Sequence, residues 1–306
     1  MIRPLTALSV CLALIGCSSA DGPTDDPVDG ALEETAGETT SDGAATSPDG
    51  ALVDATSDGG TDLGTPPTDV GVDTPPAPTK GCGLAATTGW QCEKLTVAGV
   101  ARDYCFYVPP TYDSKKPIGL VFQFHGCGGG ISEAKDYEAY GAGRYVFVYP
   151  KSAASCWSPG GPDSTFVVSI KESLAARLCV DDARVFASGF SSGGFMASAL
   201  ACSRTAGIRG SATAGGTTGC GTATPLWQYH GTKDTTVPFA SYGPPTRDQY
   251  VKVNGCSATT TAIAGSPCVE YAGCKQRTIW CSDEGGHRWP GSAWMNKGVL
   301  DFFATL

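Results

Sequence analysis

Ser191 lies in Gly189-Phe190-Ser191-Ser192-Gly193-Gly194, a G-x-S-x-G run, and a serine hydroxyl becomes a strong nucleophile only where a base can take its proton. Three histidines are available: His125, His230 and His287. His287 falls in the Gly-rich Glu284-Gly285-Gly286-His287-Arg288-Trp289-Pro290-Gly291, behind the apolar run Thr278-Ile279-Trp280. A loop after a late strand is a suitable place for a general base. Between them, Tyr229-His230-Gly231-Thr232-Lys233-Asp234 sets Asp234 on a loop after the strand-like Leu226 to Tyr229, where a carboxylate can hold an imidazole in one tautomer. The order Ser, Asp, His points to acyl transfer through a covalent intermediate, with Ser191 as nucleophile, His287 as base and Asp234 as acid. His230 reads as a satisfied histidine at a strand end beside the acid loop.

The motif alone says little in a chain with 41 glycines; its surroundings carry the inference. Arg184 to Ser188 is apolar and extended in character, and Phe195 to Cys202 is small and helix-compatible, so the glycines fall where a sharp strand-to-helix turn needs positive φ and close packing. Ser191 would sit at the tip of that turn, over a helix N-terminus. An earlier turn, Phe124-His125-Gly126-Cys127-Gly128-Gly129-Gly130, follows the strand-like Ile118 to Gln123. The backbone N–H groups of Cys127 and Ser192 are the expected donors to a developing oxyanion. His125 itself is expected to be structural.

These turns need a scaffold. Strands are expected at Tyr104 to Val108, Leu120 to Phe124, Tyr145 to Tyr149, Arg184 to Ser188, Ser211 to Ala214, Leu226 to His230 and Arg277 to Cys281. Helices are expected at Asp163 to Leu178, Ser192 to Ser203, Thr246 to Asn254 and Ala293 to Phe303. Strands alternating with helices imply an α/β domain with a doubly wound, mostly parallel sheet and helices on both faces; with the serine elbow and the chain order Ser, Asp, His, the expected fold is that of an α/β-hydrolase. Residues 81 to 306 suffice for one such domain.

That stretch holds twelve cysteines, without a C-x-x-C pair, so disulfides fit better than a metal site and no metal or cofactor is expected. Cys127 and Cys156 each follow a strand-like segment whose loops should emerge on one face of a parallel sheet, which predicts a Cys127–Cys156 bridge. A second, Cys202–Cys220, would tie the end of the helix after Ser191 to the loop after the next strand. The rest of the pairing stays open.

Residues 1 to 16 read as an export leader: Met1-Ile2-Arg3 is positive, Leu5 to Gly16 is apolar, and Leu14-Ile15-Gly16-Cys17 is lipobox-like. Lipidation of Cys17 would anchor the protein to a membrane, at the outer membrane or cell surface given Ser18; ordinary cleavage and release is the alternative. Residues 17 to 80 are expected to form a disordered tether, because Ser18 to Lys80 has no aromatic residue, 14 acidic residues and one lysine. Its span would be roughly 45 Å. The net charge of −9 therefore misleads, since residues 81 to 306 carry 19 basic and 16 acidic side chains. No basic cluster suggests nucleic acid, and a monomer acting on an uncharged or mildly anionic polymer is expected.

The run Leu178-Cys179-Val180-Asp181-Asp182-Ala183-Arg184 through Gly194, with Ala201-Cys202-Ser203-Arg204, Tyr229-His230-Gly231, Arg247-Asp248, Asn254-Gly255-Cys256 and Tyr271-Ala272-Gly273-Cys274, resembles secreted feruloyl esterases and polyhydroxybutyrate depolymerase-like esterases. The Arg-Asp, Asn-Gly-Cys and Tyr-x-Gly-Cys series leans to the first branch, while His125-Gly126-Cys127, Ser155-Cys156-Trp157 and Gly286-His287-Arg288-Trp289-Pro290 are similar to the second. Ser192 departs from the bulkier residue common after the nucleophile in feruloyl esterases. The resemblance implies a serine carboxylic ester hydrolase whose favoured substrates are feruloyl esters of plant cell-wall polysaccharide. The alternatives are a polyester, an acetylated xylan, or a non-catalytic polysaccharide-binding lipoprotein. Trp157 and Trp289 are candidates for a flat wall against an aromatic acyl group or sugar ring.

Overall fold

A computed structural model describes residues 78–131 and 137–306. The leader, Cys17 and all but the last three residues of the expected tether lie outside the described residues. The strands are β1 (Gly89–Val97), β2 (Val100–Val108), β3 (Ile118–Phe124), β4 (Tyr145–Pro150), β5 (Val180–Phe190), β6 (Ser211–Ala214), β7 (Leu226–Tyr229), β8 (Thr260–Ile263), β9 (Cys268–Tyr271) and β10 (Thr278–Cys281). The helices are α1 (Glu138–Gly141), α2 (Gly161–Ala175), α3 (Ser192–Cys202), α4 (Phe239–Tyr242), α5 (Pro244–Val253) and α6 (Ala293–Phe303).

Every residue of β3, β4, β6, β7 and β10 is buried, as strands are when both faces of a parallel sheet are covered. The strands form one sheet in the order β1-β2-β4-β3-β5-β6-β7-β10-β9-β8. Pairing is parallel from β4 through β10 and antiparallel at both edges. One face packs on α2 and α3 through Phe166, Ile170, Leu174, Met196 and Leu200. The other packs on α6 through Met295, Val299, Leu300 and Phe303, whose ring stacks on Phe186 at 4.6 Å. This is a disulfide-rich α/β-hydrolase.

The segments β6 and α6 occupy the expected residues, whereas β1, β8 and β9 were not expected. Along β1 exposed and half-buried residues alternate through Cys92-Glu93-Lys94, and β8 exposes three of its four residues. Edge strands of that kind carry little apolar signal and are set by pairing.

Among the described residues six disulfides join the twelve cysteines. Cys127–Cys156 and Cys202–Cys220 are two of them. Cys92–Cys105 and Cys268–Cys281 link directly opposed residues of β1 with β2 and β9 with β10, Cys256–Cys274 fastens the end of α5 to the turn after β9, and Cys82–Cys179 ties the chain before β1 to the start of β5. Such a density of bridges belongs to an oxidising, extracellular setting.

Candidate functional site

At the carboxyl end of β5 the chain turns into α3 through Ser191, which takes φ 54° and ψ −123°. The left-handed residue is thus the serine itself. Positive φ was expected at the glycines, but Gly189 and Gly193 have none; they are required by close packing. A Cβ on Gly189 would lie 2.2 Å from the Gly193 carbonyl oxygen, and one on Gly193 would lie 2.2 Å from that of Phe124. A non-glycine residue held in this region stores about 1–3 kcal/mol of strain, kept because the surroundings over-determine it. Here the Ser191 N–H donates to Ala214 (2.9 Å), and its carbonyl accepts the N–H groups of Gly194 (2.9 Å) and Phe195 (3.1 Å).

Ser191 Oγ lies 2.9 Å from His287 Nε2, and His287 Nδ1 lies 2.7 Å from Asp234 Oδ2. A carboxylate only accepts, so Nδ1 carries the hydrogen and Nε2 is free to accept from the serine hydroxyl. The Asp234 side chain is fully buried. Its other oxygen accepts the N–H groups of Thr236 (3.0 Å) and Val237 (2.9 Å). Gly215 leaves room for the pair, since a Cβ there would lie 3.0 Å from His287 Nδ1 and 3.2 Å from Asp234 Oδ2.

The two loops are laced together by Thr232 N–H to Asp283 O (2.8 Å) and Lys233 N–H to Gly285 O (2.9 Å). Asp283, which the sequence did not single out, organises the histidine loop. It accepts from the Tyr229 hydroxyl (2.7 Å), the Gly285 N–H (2.7 Å) and Arg288 (2.9 Å). Burial would raise its pKa, but these donors outweigh it and hold the carboxyl below its ordinary range. Burial and the adjoining Asp283 push the Tyr229 hydroxyl up to about 12.

The turn carrying Cys127 abuts the serine: a Cβ on Gly126 would lie 3.5 Å from Ser191 Cβ. Among the described residues neither the Cys127 nor the Ser192 N–H has an acceptor, and Ser192 begins α3, where the helix N-terminus favours negative charge. The turn is braced by Gly128 N–H to Ser155 O (2.8 Å) and by the Cys127–Cys156 bridge. His125, buried, accepts the Ser152 N–H at Nε2 (3.2 Å) and contacts the Gly126 carbonyl through Nδ1 (2.6 Å).

Trp157 corrects one expectation. It is 6% exposed, lies edge-on to Phe124 at 5.0 Å and donates to the His125 carbonyl at 3.0 Å, so it supports the turn from within the core instead of offering a face to a ligand. Trp289 stays partly exposed, fixed by its N–H to Asn296 (3.0 Å) and flanked by Tyr137 at 5.8 Å. Phe190 was missed; its ring sits 4.7 Å from that of His287. Its signal was its place as the variable residue of the motif.

His230 is fully buried and only half satisfied: Nε2 lies 2.8 Å from the Val237 carbonyl, while Nδ1 has no partner among the described residues. Burial pushes this imidazole below its ordinary value of 6.5, against the opposing pull of the Val237 carbonyl and the Asp234 charge. The unfolded chain therefore takes up more protons than the folded one below that value, and stability falls as pH drops through it. Urea midpoints at about pH 7.5 and about pH 5.5 should decline more steeply for wild type than for His230→Gln; equal declines would refute the assignment.

No protein-family model matches the chain. It is 32% identical over 206 residues to feruloyl esterase C of Emericella nidulans, covering 61% of this chain and 76% of that protein. With feruloyl esterase D of Neurospora crassa it shares 31% identity over 240 residues, 69% of this chain and 82% of the relative. The fold is similar to that of an acetyl xylan esterase from Aspergillus awamori, with a TM-score of 0.54, 17% identity, and coverage of 71% of this chain and all of the other. On the sequence relationship, the chain belongs to the feruloyl esterase family and is a carboxylic ester hydrolase.

Proposed function

We propose that Ser191, His287 and Asp234 hydrolyse hydroxycinnamoyl esters of plant cell-wall polysaccharide through an acyl-enzyme. The observation that carries this reading is the run from Ser191 Oγ through His287 to Asp234 at 2.9 and 2.7 Å, set on a strained strand-to-helix turn. Ser191 Oγ attacks the ester carbonyl as its proton passes to His287 Nε2. The N–H groups of Cys127 and Ser192 hold the negative oxygen of the tetrahedral intermediate. Its collapse expels the sugar hydroxyl, which takes the proton from His287. Water, deprotonated by His287, then attacks the acyl carbonyl, and the carboxylic acid leaves as Ser191 regains its proton.

Phe190 beside His287 and the partly exposed Trp289 favour a flat aromatic acyl group, and the named relatives point the same way. Trp289→Ala should raise KM for methyl ferulate about tenfold, the loss of one ring contact with its buried area. On p-nitrophenyl acetate, which has no aromatic acyl group, the change should be under threefold; equal changes on both esters would remove Trp289 from acyl recognition. Turnover of methyl ferulate, acetylated xylan and polyhydroxybutyrate, measured side by side, tests the substrate class. Faster hydrolysis of either polymer would reassign it.

Anchoring through Cys17, with residues 17 to 80 as a tether, is part of the same reading and rests on the lipobox-like run and the acidic, aromatic-free composition. Cys17→Ala should abolish incorporation of labelled lipid. Deleting residues 18 to 77 should leave Tm and turnover of soluble esters unchanged, and a lowered Tm would show that the segment packs on the domain.

A further inference from the structure

His230 and Asp234 are four residues apart around the turn after β7, and their side chains are both fully buried. His230 Nε2 lies 2.8 Å from the Val237 carbonyl oxygen and 3.4 Å from Asp234 Oδ2. Since a carbonyl only accepts, Nε2 bears the hydrogen, and the neutral ring leaves its lone pair on the unpartnered Nδ1. Val237 closes a ring: its N–H donates to Asp234 Oδ1 at 2.9 Å while its carbonyl accepts from His230. The backbone of His230 is itself clamped, its N–H on the Cys281 carbonyl (3.1 Å) and its carbonyl accepting the Ser282 hydroxyl (2.9 Å). Phe239 covers the ring edge-on at 5.7 Å.

Asp234 Oδ2 is thus faced from two sides, by His287 Nδ1–H at 2.7 Å and, at 3.4 Å, by His230 Nε2, whose hydrogen goes to the Val237 carbonyl. The charged and titratable groups that bear on His230 are Asp234, from its own loop, and His287, from the loop after β10. A cationic His230 would oppose the imidazolium that His287 becomes during turnover; a neutral one offers Asp234 a dipole without a competing charge.

We propose that His230 is a positioning residue: neutral and buried, it donates its Nε2–H to the Val237 carbonyl, so holding the segment whose N–H groups bind Asp234 Oδ1 and setting its own dipole beside Asp234 Oδ2, and thereby sets how strongly Asp234 supports His287. This rests on the roles proposed for Ser191, His287 and Asp234. An orphaned, fully buried ring nitrogen costs stability, and its presence beside the acid is explained if the other nitrogen supports the loop that carries that acid. Without the His230 dipole the Asp234 charge is less stabilised and holds the His287 proton more tightly. The pH at which His287 becomes a base then rises.

The test is the rate of Ser191 phosphorylation by diethyl p-nitrophenyl phosphate across pH, with the labelled peptide identified by mass spectrometry. In this step the Ser191 oxygen bonds to phosphorus, p-nitrophenolate leaves, and the serine proton passes to His287. His230→Asn, too short to reach Val237 or Asp234, should label about tenfold more slowly, with its acid limb moved up by about half a pH unit. His230→Gln, whose amide reaches the place of Nε2, should restore the limb and most of the rate. His230→Leu serves as a second variant lacking the donor if His230→Asn does not fold. A wild-type limb and rate in the donor-free variants would overturn the proposal, as would equal losses in all variants with an unmoved limb, which is the signature of a purely structural role. Absence of label on Ser191 in the wild-type protein would remove the underlying nucleophile assignment, and the proposal with it.

Discussion

Ser191→Ala should lower kcat about 10⁵-fold on any ester the enzyme accepts, and His287→Ala nearly as much, because the proposed nucleophile and base act as one unit and the remainder is binding and oxyanion stabilisation. The double variant should be hardly worse than either single one. Asp234→Asn is milder, since it leaves the base in place and disturbs its tautomer and charge. Stability separates the hydroxyl from the backbone. Ser191 holds φ 54°, so alanine keeps the strain while glycine releases it, and Ser191→Gly should be about 1 kcal/mol more stable than Ser191→Ala although both are inactive. Urea unfolding that ranks alanine above glycine would mean the elbow is not strained. Near wild-type turnover in a folded Ser191→Ala protein would remove Ser191 from the mechanism.

Replacing both Cys127 and Cys156 by alanine should lower kcat by roughly ten- to a hundredfold, part of the cost of losing one oxyanion donor, while the sheet persists. Cys127 is exposed, and its bridge to Cys156 is the covalent brace on a turn otherwise held by the Gly128 N–H on Ser155 and the buried His125 and Trp157 contacts. Those contacts survive the substitution, so the chain still folds, at a cost of about 2–4 kcal/mol. KM should change little, because the loss falls on a contact made in the transition state. Gentle reduction of the wild-type protein should likewise lower activity before the sheet's circular dichroism signal is lost. An unchanged kcat in the double variant would sever the bridge from oxyanion geometry.

The sequence made the parallel core legible because its strands, buried on both faces, carry short stretches of apolar and small residues such as Tyr145 to Tyr149 between turn residues; β6 and α6 lie on the expected residues. The edge strands escaped for the opposite reason. In β1, Glu93 and Lys94 interrupt the apolar signal, and the strand is held by pairing to β2 and by Cys92–Cys105. At the site, chain order and local motifs were enough to single out Ser191, Asp234 and His287. What they could not give was orientation in space. Trp157 reads like any tryptophan beside a loop, yet its ring makes a T-shaped contact with Phe124 in the core and its N–H goes to the His125 carbonyl. Asp283 became visible only when Tyr229, Gly285 and Arg288 converged on it from separate stretches. Positive φ was attributed to the glycines because they tolerate it best, whereas the fold uses them for close packing and places the strain on the serine.

The most direct measurement is peptide mapping after a rapid acid quench of turnover with p-nitrophenyl ferulate. The feruloyl group should be found on the peptide that contains Ser191, in wild type and at higher occupancy in Asp234→Asn, where His287 is less able to activate the deacylating water. Feruloyl on another residue, or ester cleavage proceeding with no acyl group ever found on Ser191, would contradict the acyl-enzyme mechanism.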